Sequence, residues 1–310
     1  MRFFILYENP DWLPPLVDAL EKREQSFELL QIRSGLLYGT PKEGIYLNRM
    51  SPSSHTRGNI ESVDLMREVL AYLEDHGRRV VNGSRAFELE MSKFQQYRAL
   101  QRHGILTPRT GLAVGKEELV ELAGHFDGPF ITKHNRGGKG LGIHRFEASE
   151  ELRALLESGD FDFGPNGQVI IQEFIEAKEP HITRVEMVGG EMILAMESST
   201  EEGFELCPSD VCQIEAARKK SPDNCPIDGG AKFRPSALSA SDPLVAKYRA
   251  LCANEGIEIA GIEFVEDREG RRYTYDINGT TNYNQTLGRE IGVQGMEKVV
   301  EYLLKQKSEV

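Results

Sequence analysis

Short apolar runs alternate with stretches of helical spacing along this chain, and their order predicts where its sheets lie. Residues 2–7 read as a strand, Leu16, Ala19 and Leu20 recur at helical spacing behind Pro14 and Pro15, and residues 27–32 read as a second strand. That β-α-β order predicts a small parallel sheet. A further strand from Ile45 ends in a polar loop carrying Arg49, Ser51, Ser53, Ser54, His55, Thr56 and Arg57. Ligands of open parallel sheets sit at the carboxyl ends of strands, so the loop is a candidate anion pocket; a solvated surface loop has the same composition. Val63, Met66, Leu70 and Leu73 mark a helix that Gly77 stops, and residues 80–83 form a short strand with a turn.

The second part of the chain repeats the alternation with longer strands. Ser92 reads as an N-cap with Gln95 in capping-box position, opening a helix through Phe94, Tyr97 and Leu100 that ends at Gly104. Lys93 lies in its first turn, where a cation opposes the helix dipole by a few tenths of a kcal/mol, so this lysine is a candidate for pointing at an anion. Helical spacing returns over residues 116–126, Ser149–Ser158 and from Asp242 to Ala253, and in the amphipathic end with Met296, Val299, Val300, Leu303 and Leu304. Strands are expected over residues 168–175, over 182–188 and 191–197 about the Gly189-Gly190 turn, and over Ile259–Glu266 and Arg272–Asn278. Residues 198–235 form a long segment rich in turn residues, of the kind that is functional or mobile in compact domains.

Two stretches carry chemistry. Between Pro129 and Arg145 an apolar run ends on Lys133 and breaks into Gly137, Gly138, Gly140 and Gly142, interleaved with Arg136 and Lys139. A basic, glycine-rich turn between strands makes a cradle of backbone donors for phosphate oxygens, although a plain hairpin turn with two solvated cations has the same pattern. Neither a Walker A loop nor a dinucleotide fingerprint fits, because no Gly-Lys-Ser/Thr opens a helix and the continuation is a strand. In the late hairpin, Glu263 interrupts an apolar strand, while Asp276 and Asn278 share one face of the next. A register placing Glu263 opposite them gathers hard oxygen ligands of the type that Mg²⁺ takes beside nucleotide phosphates. Solvated acids at a strand edge, or pairs with Arg271 and Arg272, are the alternative.

Charge narrows the partners. Against 37 Lys and Arg stand 49 Asp and Glu, a net charge of −12, which repels nucleic acid and anionic membranes and leaves anionic ligands to local basic groups or a metal. No apolar run approaches the ~20 residues a membrane helix needs, and the apolar start reaches Glu8 too soon for a signal peptide. Cys207, Cys212 and Cys225 lack the tight spacing of most zinc sites and read, with Cys252, as reduced thiols of a cytoplasmic protein.

In order and spacing, Lys93, Lys133 with its glycine loop, the strand through Ile170–Ile175, and Glu263, Asp276 and Asn278 resemble the ATP-grasp superfamily, most of all the glutamate ligases that modify ribosomal protein tails. The likeness runs from about Val80 to Leu304. It implies an α/β chain with a pre-ATP-grasp domain over residues 1–91 and an ATP-grasp domain over 92–310, with a glycine-loop lobe at about 107–174 and a metal-binding lobe at about 175–310. It further implies ATP and two Mg²⁺ ions, or Mn²⁺ in their place, held by Glu263, Asp276 and Asn278. Lys93, Lys133, Arg136, Gly137, Gly138 and Gly140 would meet phosphates, and Gln172, Glu173, Phe174 and Ile175 the adenine. Glu179 would serve the ribose, and Lys139 with one arginine, Arg184 or in its place Arg234, the reacting centre. The reaction implied joins a small-molecule or peptide carboxylate to an amine through an acylphosphate, in a chain allowed to be a homodimer. A small-molecule kinase of this fold, or a non-catalytic Mg-ATP-binding scaffold, is the alternative. The cysteine segment has no counterpart in those ligases. If its thiols are bystanders, Cys207→Ser leaves turnover nearly unchanged in a steady-state assay, whereas a large loss points to a metal or redox role.

Overall fold

The computed structural model describes residues 1–138, 140, 142–201 and 232–309, so Lys139, Cys207, Cys212 and Cys225 lie outside the described residues. Three sheets organise the rest. The first is parallel, in the order β2-β1-β3-β4, from β1 (Phe3–Tyr7), β2 (Phe27–Gln31), β3 (Ile45–Arg49) and β4 (Arg79–Val81). Both faces of β1 are apolar because both are covered. Phe3 and Ile5 face helix α1 (Pro14–Lys22), while Phe4 and Leu6 face α2 (Ser62–Asp75). The expected β-α-β unit is therefore present, and β3 delivers its loop at the carboxyl edge of the sheet.

Helix α3 (Ser84–Glu90) and helix α4 (Lys93–Arg102) follow. Ser92 Oγ accepts from the Gln95 amide at 3.3 Å as expected, but the Gln95 side chain accepts from Arg85 instead of closing a capping box. Asn135 completes the cap, its Oδ1 accepting from the Phe94 amide at 2.9 Å and its carbonyl from the Lys93 amide at 3.1 Å. The start of α4 is thereby seated on the strand that leads into the glycine loop.

The second sheet is antiparallel, β5-β8-β6-β7, built from β5 (Thr110–Val114), β6 (Phe130–His134), β7 (His144–Phe146) and β8 (Gln168–Glu173). Helices α5 (Lys116–Ala123) and α6 (Ser149–Ser158) close its core around Phe130, Phe146 and Ile171. The third sheet is β11-β10-β9-β12-β13: β9 (His181–Val188), β10 (Glu191–Ser199), β11 (Phe233–Pro235), β12 (Ile259–Glu266) and β13 (Arg272–Asn278). One of its faces, through Val185, Met187 and Ile262, packs on α4 and on α7 (Pro243–Glu255). Its other face carries Arg184, Glu186 and Glu263, all buried.

After α8 (Gln285–Ile291) comes α9 (Gly295–Glu309), which ties the first and last sheets together. Met296, Val299, Val300 and Leu303 join one core with Phe3, Ile5, Ile45 and Leu47 of the first sheet and Val188 and Ile259 of the third. Arg23 of the N-terminal unit also donates to Glu297 and Glu301 on α9. Leu303 is fully buried here. Leu303→Ala is expected to lower unfolding stability by about 2–5 kcal/mol in urea titrations, with one cooperative transition kept. A loss under about 1 kcal/mol would show that α9 is not a shared core element.

Candidate active site

The hairpin β12–β13 sets the geometry. Glu263 stands directly opposite Asp276, and the register then shifts so that Phe264 faces Thr274. Tyr275 is the extra residue of this bulge, a device that re-aims side chains near functional sites, and both Tyr275 and Asp276 line the cleft. Asn278 points the same way, its amide 3.5 Å from Asp276 Oδ2. The expected register is thus the observed one, and Arg271 and Arg272 pair instead with Asp267, Glu269, Glu266 and Asp242.

Basic groups reach these acids from three directions. From β9, beside β12, Arg184 donates to Glu263 at 2.6 Å, to Glu186 at 2.7 Å and to Thr281 at 2.9 Å. Gly261 makes room for it, since a Cβ there would lie 2.1 Å from the guanidinium. From the first turn of α4, the Lys93 ammonium pairs with Asp276. From the end of β6, Lys133 donates to the Gln172 side-chain oxygen at 3.0 Å and lies 5.6 Å from the Tyr275 ring centre. The Gln172 amide group in turn donates to Thr110 at 2.9 Å, which fixes its orientation.

Burial and charge set the protonation states. Burial opposes the Arg184 charge, yet the Glu186 and Glu263 carboxylates outweigh it and hold its pKa above the ordinary value. Burial raises Glu263, with Arg184 partly offsetting it; for Asp276, burial is overcome by Lys93 and Lys133 and the carboxyl is held low. Lys133 has no ion pair among the described residues, and burial together with the Lys93 charge pushes it down to about 7.

Gly137, Gly138 and Gly140 line the cleft. The loop is anchored by the His134 ring, which bonds the Asp162 carbonyl at 3.0 Å; at Gly142, with φ of +71°, a Cβ would lie 2.7 Å from that ring. A Cβ on Gly138 would stand 3.7 Å from Ser53 Cβ, so the loop meets the turn after β3 across the mouth of the cleft. Ser51, Pro52 and Ser53 of that turn line it too, while Arg57 is committed to Glu8. At the far end, Glu173, Phe174 and Ile175 leave β8 along the wall, held by Glu173 N–H to Arg109 at 2.8 Å and Phe174 N–H to Pro129 at 2.9 Å.

Three expected residues stand elsewhere. The Arg136 side chain turns under the loop into a neighbouring cavity with Asp64 and Arg67, because the backbone that aims Lys133 inward sends it to the other side. Arg234 is exposed on the edge strand β11 and donates to Glu197 at 2.6 Å, and Glu179 is exposed outside the cleft. Conversely, Glu90, Tyr275, Thr280 and Asn282 line the cleft without having been singled out from sequence. Tyr275 sits within the strand already marked; Glu90 ends a helix too short to carry a periodic signal.

Comparison with known proteins adds the following. Residues 91–206 match the model of the RimK-like ATP-grasp domain. A probable alpha-L-glutamate ligase of Vibrio vulnificus (strain YJ016) is 26% identical over 228 residues, covering 71% of this chain and 75% of that protein. A RimK domain ATP-grasp protein from Sphaerobacter thermophilus superposes with a TM-score of 0.69 over 97% of this chain and 99% of that one, at 17% identity. The D-alanine–D-alanine ligase of Bacillus anthracis gives 0.67 over 100% and 99%, at 14% identity. These structures share the fold.

The Lys133 environment predicts a pH dependence of stability. Its folded pKa of about 7 lies below the ordinary 10.5, so between those values the unfolded chain binds more protons and the cost this group imposes on folding fades as pH rises. The stability advantage of Lys133→Met over the wild type should therefore shrink between about pH 7.5 and 9.5, by up to roughly 1.4 kcal/mol per pH unit. Urea denaturation at the two pH values measures it; a constant difference would mean that the lysine titrates normally.

Proposed function

We propose that this chain, which carries a RimK-like ATP-grasp domain within an ATP-grasp fold, is an ATP-dependent carboxylate–amine ligase that forms an amide bond and releases ADP and phosphate. One observation carries the reading: Glu263, Asp276 and Asn278 converge on a cleft that Lys93, Lys133 and the glycine loop enter from separate elements. Two carboxylates and an amide oxygen form a hard-donor set suited to Mg²⁺ between protein and phosphates. The basic groups now resting on those acids support the fit, since buried carboxylates need a positive charge beside them. These three residues would hold two Mg²⁺ ions, which when bound neutralise the phosphate charge; Mn²⁺ would serve likewise. ATP provides the phosphoryl group.

The side chains divide the remaining work. Lys93 and Lys133 bind phosphate oxygens, and Lys133 regains its proton when an anion reaches it. Backbone groups of Glu173 and Ile175 meet the adenine. Amides of Gly137, Gly138 and Gly140 cover the phosphates and exclude water. Arg184 holds Glu263 in place and keeps a fixed positive charge beside the reacting centre, the positioning-plus-charge logic of phosphoryl transfer. A substrate carboxylate attacks the γ-phosphorus to give an acylphosphate and ADP; an amine then attacks its carbonyl carbon, and phosphate leaves.

The name of the Vibrio relative makes L-glutamate the first substrate to test, as acid and as amine. No helix among the described residues is long and apolar enough to cross a membrane, in keeping with a cytoplasmic enzyme drawing on the ATP pool. Coupled ADP-release assays with amino-acid and peptide carboxylates, with and without amines, test the reading. Release that never depends on an amine would favour a kinase of the same fold. Asp276→Ala is expected to abolish turnover and weaken Mg-ATP binding with the fold retained by circular dichroism; normal activity would remove the metal proposal.

A further inference from the structure

Glu90 is a carboxylate that none of these steps uses. It ends α3, is 8% exposed and lines the cleft. Of the acids on the cleft wall, Glu173 is exposed, Glu263 is paired with Arg184 and Asp276 with Lys93. No such pair is found for Glu90 among the described residues: Oε1 accepts a hydrogen bond from the Thr280 amide at 3.0 Å, and no lysine or arginine joins it. Oε2 lies 2.6 Å from where a Cβ on Gly279 would stand, so a glycine keeps that side clear. Burial pushes Glu90 up to about 7, with the Thr280 hydrogen bonds and the nearby Arg49 charge only partly offsetting it. A buried carboxyl with no ion-pair partner would gain from a positive charge brought by a ligand.

The surroundings indicate which charge that is. Thr280 donates to the Met50 carbonyl at 2.7 Å, and Arg49 holds the Thr281 carbonyl at 2.7 Å and the Asn282 side chain. The segment after Asn278 is thereby fastened to the end of β3, whose following residues Ser51 and Ser53 also line the cleft. Arg49 is taken up by these two contacts. Among the described residues, the charged side chain of this corner left for a ligand is therefore Glu90, set among neutral hydrogen-bonding groups, which suits a cation carrying polar substituents better than a phosphate.

We infer that Glu90 anchors the ammonium group of the amine co-substrate, so that the acceptor amine is a small cationic molecule seated at the corner bounded by Thr280 and the turn after β3. The inference rests on the ligase reading. Glu90 selects and orients the ammonium, which gives a proton to solvent before the neutral amine attacks the acylphosphate carbonyl and phosphate leaves. Asp276 and Glu263 serve the nucleotide side of the cleft.

The test uses two nucleophiles of different charge. Hydroxylamine, uncharged near neutral pH, traps acylphosphates as hydroxamates, whereas glycine and L-glutamate present an ammonium group. The full chain with Mg-ATP is screened against the twenty amino acids as carboxylates, first with hydroxylamine and then with glycine or L-glutamate as amine. In Glu90→Gln, which keeps an acceptor for the Thr280 amide, the ratio of coupling to a cationic amine over hydroxamate formation should fall by about 10- to 100-fold, through the KM of the amine. Glu90→Ala should lower the same ratio further. An unchanged ratio overturns the inference alone, as does a loss expressed in the Mg²⁺ or ATP requirement, which would make Glu90 part of the metal site. A wild type that forms hydroxamate but couples neither amine overturns it also. Absence of hydroxamate with every acid overturns the ligase reading itself.

Discussion

Charge compensation inside the third sheet is the constraint on which the rest of this structure depends. Arg184 lies between Glu186 and Glu263 on a face removed from water, and Lys93 closes on Asp276 beside them. Each of these groups would be expensive to bury alone, and removing one partner of such a set is far costlier than the pair is stabilising. The network therefore fixes the positions of its members more than it adds to stability. It works because β9, β12 and β13 place the charged residues on one face and Val185, Met187, Ile262 and Ile277 on the other, so a single apolar core on α4 and α7 holds the polar face rigid.

Rigidity on that wall contrasts with the opposite one. The second sheet meets the cleft through a glycine loop and through the stretch after β8, joined to the rest by backbone hydrogen bonds and by the Asn135 cap on α4. Asn135 lies two residues beyond Lys133 and one after His134, so the residue that seats α4 also fixes where the loop begins. Lys93 and Lys133, far apart in sequence, are held in register by that one residue, through its carbonyl and its side chain. A fixed wall of oxygen donors facing a wall hung on few contacts is the arrangement expected of a cleft that must admit and release a large substrate.

Much of this was legible beforehand, for identifiable reasons. Strands such as Ile259–Glu266 and Arg272–Asn278 announce themselves by alternation, and the same alternation put Asp276 and Asn278 on one face. Thr110–Val114 did not, since a five-residue segment with a glycine in second place becomes a strand only through its pairing with β8. Helix α3 is seven residues long and gave no periodic signal, which is why Glu90 escaped notice. Arg136 was grouped with the glycine loop because sequence shows neighbourhood but not which side of a turn a side chain leaves by. Arg234 and Glu179 had only position in the chain to recommend them, and both are exposed. The bulge at Tyr275 was likewise invisible, because a one-residue shift depends on the partner strand.

The seam made by α9 bears on how the molecule is made. Strand β1 leaves the ribosome well before α9, yet one of its faces is completed by Val299, Val300 and Leu303, nearly three hundred residues later. Until residues 295–309 have been synthesised, Phe3, Ile5, Ile45 and Leu47 have the cover that α1 gives them but not that of α9. The nascent first sheet must therefore wait for α9 with part of its apolar surface showing, a window in which holding chaperones have something to grasp.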